Sequence, residues 1–85
     1  MAQTYKVLIQ HMAFQPQTLS IARGDTVEWT NTMSMQHTVT PDDGEFPGSG
    51  PLGPNTTFSH RFDAAGTIAY HCDFHPDMTG QVVVA

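Results

Sequence analysis

Four side chains stand out for the chemistry they could do together. Residues 70–78 place Cys72, His75 and Met78 at C-x2-H-x2-M spacing, and a further histidine, His37, lies far upstream. A tight loop leaving a strand can turn the three downstream side chains toward one point. Two imidazoles, a thiolate and a weak thioether are the donors of a trigonal His2Cys copper site with a long axial methionine. Soft sulfur suits Cu(I), and imidazole suits both oxidation states. A geometry acceptable to both leaves little to rearrange when an electron arrives, which is what fast one-electron transfer requires.

The elements that must position these residues read as strands and turns. Residues 5–10, 18–22, 26–31, 36–40, 56–62, 67–72 and 81–85 are short β-prone runs. Residues 41–54, rich in Pro, Gly, Asp and Ser, form a long surface loop. No helical period is present. Seven to eight short strands joined by turns predict an all-β sandwich of Greek-key type. Side chains alternate across a strand, so Ile68, Tyr70 and Cys72 share the core face and His71 points away. His71 is therefore not taken as a ligand. His60 shares a face with Phe58 and Phe62 and is expected to be buried and hydrogen-bonded. His11 reads as a surface or edge residue.

A length of 85 residues fits one domain, spanning 1–85, with a single core. Lys6, Arg23 and Arg61 are the only basic residues, and the formal net charge is -5. Such a chain cannot build the basic face that nucleic acid or an anionic membrane surface demands. No stretch is long enough to span a bilayer, and no signal peptide is visible. The lone Cys72 excludes an internal disulfide and a zinc ribbon. Multicopper enzymes need further sites, usually His-x-His pairs, and a binuclear centre needs a second cysteine; neither is present. A zinc hydrolase would need an open ligand position beside a general base. The expectation is a protein that is not an enzyme.

Three segments carry a family resemblance. FQPQTLSIARGDTVEWTN (residues 14–31) is similar to the first-half pattern of the cupredoxins of plastocyanin/amicyanin type. QHTVTPDDG (36–44) resembles their segment bearing the first copper histidine. AGTIAYHCDFHPDMTGQVVV (65–84) looks like the amicyanin ending, with its short ligand loop. The resemblance covers nearly the whole chain. It implies an eight-stranded Greek-key sandwich with one copper ion at one end, cycling between Cu(I) and Cu(II). By position, His37, Cys72, His75 and Met78 match the ligands.

The resemblance also implies a monomeric one-electron carrier between a redox donor and acceptor, in an extracytoplasmic, periplasmic or cell-surface setting. Partners would dock on an apolar patch of Met12, Met35, Phe74, His75 and Pro76. The alternative is a copper storage or delivery protein using Met12, Met33 and Met35 as extra soft donors. Asp42, Asp43 and Glu45 read as a solvated turn, or as charge that steers a basic partner. One departure concerns the residue after His37. Many relatives have Asn there, tying the two ligand segments together; here it is Thr38, whose hydroxyl is expected to donate a hydrogen bond.

Overall fold

The computed structural model describes residues 2–85, which form eight strands. These are β1 (Thr4–Gln10), β2 (Ala13–Gln15), β3 (Thr18–Ile21), β4 (Thr26–Asn31), β5 (Thr40–Pro41), β6 (Thr57–Arg61), β7 (Gly66–His71) and β8 (Thr79–Val84). One sheet runs β2-β1-β4-β6 and the other β3-β8-β7-β5. β1 and β4 pair in parallel, as do β3 and β8, while the remaining neighbours are antiparallel. The expected all-β sandwich is therefore what the chain forms.

The faces follow the two-residue period of the sequence. Along β4, Val27, Trp29 and Asn31 point inward and are fully buried. Along β7 and β8, Ile68, Tyr70, Val82 and Val84 also point inward and are buried. Trp29 is the hub between the sheets: its ring lies 5.4 Å from Tyr70, 5.7 Å from Phe58 and 5.9 Å from Phe46. Phe46 comes from the long connection after β5, so that connection is plugged into the core rather than lying free on the surface. His60 is only half-buried, and it stacks on Phe46 at 5.1 Å instead of entering a buried hydrogen-bond network.

Two elements depart from the sequence expectation. β2 was not anticipated; it returns from β1 through His11 and Met12, both left-handed at φ 54° and 57°. Two left-handed residues bridging an antiparallel pair make a type I′ turn, a place that Asn-Gly usually fills. The strand expected over 36–40 shrinks to Thr40–Pro41. Its upstream part bonds to the long connection instead. His37 and Leu52 exchange backbone hydrogen bonds at 3.3 and 2.8 Å, and the Ser49 N–H donates to the Val39 carbonyl at 3.0 Å.

Gly80 shows how tightly the second sheet is filled. A Cβ there would lie 2.5 Å from both Cζ and the hydroxyl oxygen of Tyr70. Tyr70 is fully buried, and burial pushes its hydroxyl pKa up to about 12. At the opposite end of the sandwich, the buried Asp25 carboxylate accepts the N–H groups of Gln3 (2.9 Å) and Ala22 (3.0 Å). These two bonds, Gln3 first, hold its pKa below the ordinary carboxylate range.

Gly80→Ala is expected to destabilise the fold by about 1–3 kcal/mol, the usual cost of overpacking, because a fully packed ring must move. Thermal or urea unfolding of the two proteins checks this, and equal midpoints would exclude the clash. Asp25→Asn should also lower stability, with a definite pH dependence. Because the folded pKa is depressed, the carboxylate's contribution is complete above the unfolded pKa and is lost as pH falls through the folded one. The melting-point gap between parent and Asp25→Asn should therefore be full at neutral pH and close below the ordinary carboxylate range. A gap constant down to strongly acidic pH would contradict the assignment.

Candidate metal centre

β7 ends at His71, and Cys72 is the first residue of the connection to β8. That connection is folded by its own backbone. The His75 N–H donates to the Cys72 carbonyl (3.3 Å) and the Met78 N–H to the His75 carbonyl (2.8 Å). The Cys72 N–H closes the loop on the Met78 carbonyl at 3.0 Å. Two successive turns thus bring the side chains at 72, 75 and 78 to one side, which is why a three-residue spacing recurs. Cys72 and Met78 are buried and His75 is half-buried, while Asp73, Phe74, Pro76 and Asp77 between them are exposed.

The fourth residue arrives from the other side. His37 is fully buried, held by its double backbone bond to Leu52. Asn31, at the inward-facing end of β4, braces this region: its Nδ2 donates to the carbonyls of Met35 and Leu52, both at 2.9 Å. Its Oδ1 accepts the Met33 N–H at 3.0 Å. Sequence reading missed Asn31, although its parity with Val27 and Trp29 was the available signal.

The donor atoms converge. Cys72 Sγ lies 3.6 Å from His37 Nδ1 and 3.8 Å from His75 Nδ1, and these three ligand atoms lie within 4.8 Å of one another. Typical metal bonds of about 2.0 Å to imidazole and 2.3 Å to thiolate, about 120° apart, separate N from S by about 3.7 Å. The residues present therefore fit a trigonal metal ion. Burial, reinforced by the neighbouring His75, lowers the His37 pKa, so its ring stays neutral and free to bind a metal. Met78 lines one groove with His75, Met12, Phe74, Pro76 and Asp77.

Thr38 plays a different part from the one expected. Its hydroxyl accepts the Asp73 N–H at 2.8 Å rather than donating to the ligand loop, and it shares a hydrogen bond with the Thr40 hydroxyl at 2.9 Å. The Thr38 N–H points at Cys72 Sγ at 3.4 Å. His71 faces away from the centre, with Nδ1 2.6 Å from Asp42 and Nε2 3.1 Å from Asp73. The Asp42 bond, foremost, raises the His71 pKa. Sequence reading gave no sign of this pairing. Met12, Met35 and Phe74 are the exposed large apolar side chains among the described residues. The Met33 sulfur accepts the Met12 N–H at 3.4 Å.

Residues 1–85 match the family described as copper binding proteins, plastocyanin/azurin family. The chain is 42% identical to amicyanin-alpha of Methylorubrum extorquens, over 93% of this chain and 70% of that protein. It superposes on a Cu(I) amicyanin mutant with a TM-score of 0.91 and 32% identity, covering 96% of this chain and 82% of the other. A purple cupredoxin from Nitrosopumilus maritimus matches with a TM-score of 0.86 and 30% identity, over 95% and 99% of the two chains.

Proposed function

The chain belongs to the plastocyanin/azurin family of copper-binding proteins, and we propose that His37, Cys72, His75 and Met78 hold the copper through which it carries single electrons. Bound there, copper supplies a Cu(I)/Cu(II) couple. The observation that carries the assignment is the convergence of two Nδ1 atoms on Cys72 Sγ at 3.6 and 3.8 Å. Cys72 would supply a soft thiolate, and Met78 a weak thioether that tunes the couple. His37, fully buried and braced, keeps its ring in place through both oxidation states. His75, half-buried at the groove, is the side on which electrons enter and leave. Four protein side chains would hold the metal, which favours a carrier over an enzyme that needs an open position for substrate. The same reading treats 1–85 as one monomeric domain working outside the cytoplasm, in the periplasm or at the cell surface.

The partner surface follows from exposure and charge. Met12 and Phe74 are exposed beside His75 and Pro76, Met35 is exposed on the segment that leads to His37, and an apolar patch of this kind marks a contact site. The acids are unevenly placed. Asp42, Asp43 and Glu45 lie on the long connection and Asp73 and Asp77 on the ligand loop, and neither segment carries Lys or Arg. The rest of the chain balances Lys6, Arg23 and Arg61 against Asp25, Glu28 and Asp63. The net charge of -5 thus resides on the two segments that flank Cys72. Donor and acceptor would be redox proteins with basic rims, steered by charge and seated on the apolar patch. Met33, a donor that a delivery protein would need, is already turned to the Met12 N–H.

The decisive experiment is a visible spectrum with copper added. The parent should show an intense thiolate-to-copper band with reversible one-electron redox. Cys72→Ser should lose the band and keep the folded far-UV spectrum; a band surviving in the mutant would refute the ligand set. Met35→Lys should slow electron exchange with a basic redox partner by tenfold or more while scarcely moving the reduction potential. Stopped-flow rates equal to those of the parent would remove Met35 from the docking surface.

A further inference from the structure

The two acids of the ligand loop are not equivalent. Asp73 is held by His71 Nε2 at 3.1 Å. Asp77 is exposed and enters no ion pair among the described residues. The chain's own cations stand elsewhere: Lys6 on β1, Arg23 between β3 and β4, and Arg61 paired with Asp63 at 2.8 Å. Asp77 is thus a carboxylate without a cation of its own, two residues from His75.

What surrounds that carboxylate is largely apolar. Asp77 lines a groove of about 370 Å³ with Met12, Phe74, His75, Pro76 and Met78. A smaller hollow of about 170 Å³ also has Met12, Asp77 and Met78 in its wall and runs on to Gln17 and Thr79. Neither is lined by Lys or Arg. Phe74 is 51% and Met12 40% exposed, so an aromatic ring and a thioether stand open on the groove that holds the carboxylate. A purely apolar surface seated there would strip Asp77 of water and give it no counterion, at a heavy desolvation cost. A partner that covers the groove must therefore bring a cation to it.

We propose that Asp77 and Phe74 form a seat for one arginine side chain of the redox partner. This deepens the docking reading above and rests on it. Arginine suits the groove better than lysine. A planar guanidinium can bond both oxygens of a carboxylate in parallel. It also stacks on an aromatic face, here that of Phe74. It is more weakly hydrated than an ammonium group, so it is easier to cover. Its methylene stem would lie along Met12, whose unbranched thioether adapts to such a surface. The seat adjoins His75 on the open side of the centre, so an arginine held there brings its protein over that imidazole. Asp42, Asp43 and Glu45 line neither the groove nor the hollow beside it, so they steer an approaching partner without seating it.

The probes are N-acetylarginine amide and N-acetyllysine amide. Each is titrated at fixed low ionic strength into the copper-loaded, reduced protein and followed by NMR at Phe74 and Met12. The arginine amide should bind saturably and at least threefold more tightly than the lysine amide. Asp77→Asn should weaken the arginine amide at least threefold. Asp43→Asn removes the same charge outside the groove and should leave that affinity within experimental error. Phe74→Leu keeps an apolar wall but removes the ring face, and should bring the two amides to equal affinity. All three residues are exposed, so the variants fold. Tris(phenanthroline)cobalt(III), a cationic one-electron oxidant, should oxidise the parent at least twofold more slowly when the arginine amide is saturating. Asp77→Asn should react at one rate with or without it. Equal affinities of the two amides in the parent, or undiminished affinity in Asp77→Asn, would overturn the seat. Saturable binding that leaves the oxidation rate unchanged would overturn its place beside the electron route. Failure of the wider docking reading looks different: Met35→Lys would exchange electrons as fast as the parent while these amide affinities stand.

Discussion

The arrangement around the centre depends on one constraint: the sulfur of Cys72 and a ring nitrogen of His37 stand 3.6 Å apart although 35 residues separate them. No local interaction can do this. The two atoms come from different segments, and each is set by a different sheet. Cys72 follows directly from the inward face of β7, one step beyond Tyr70. His37 is reached through Asn31 at the end of β4 and through the long connection that Asn31 holds. The cluster of His37, Cys72 and His75 is in effect a further contact between the sheets, made with donor atoms where the rest of the interior uses aromatic rings.

That view explains why the aromatic cluster and the centre lie along the same strands. Trp29 touches Tyr70 across the sandwich at 5.4 Å, and two residues further along the chain stand Asn31, at the end of β4, and Cys72, just past the end of β7. Alternation makes the second pair inherit the inward direction of the first. Packing at Trp29 and Tyr70 thus aims the polar residues beyond them. Gly80 belongs to this scheme, because the Tyr70 ring needs the space that a side chain on β8 would fill.

Much of this was legible in the residues. The period of two in β7 showed which of its side chains enter the core, and the C-x2-H-x2-M spacing matches a loop of two successive backbone turns. The resemblance of the 65–84 segment to the amicyanin ending pointed to the family. What could not be read depended on contacts distant in sequence. β2 is three residues long, with Gln and Pro close by, and carries no β signal of its own. The 36–40 run has strand propensity, yet it bonds to the long connection, and propensity does not name a partner. The Asp42–His71 pair spans 29 residues and exists only because β5 and β7 are neighbours. Thr38 was visible as a departure, but whether its hydroxyl gives or accepts depends on where the Asp73 N–H falls.

The site also imposes a cost that the rest of the molecule carries. His37 Nε2 is buried without a hydrogen-bond partner among the described residues, and such an orphaned group costs about 1–3 kcal/mol. A chain of this size has little margin for it. The position is nonetheless useful. With Nε2 buried and unpartnered and Nδ1 facing the Cys72 sulfur, the ring has one side that makes a polar contact. His75 is arranged the opposite way, half-buried on a loop with exposed residues on both sides. One imidazole is therefore held by exclusion from water and the other is left at the surface. The asymmetry gives the centre a closed side, where geometry is kept, and an open side, where a partner can approach.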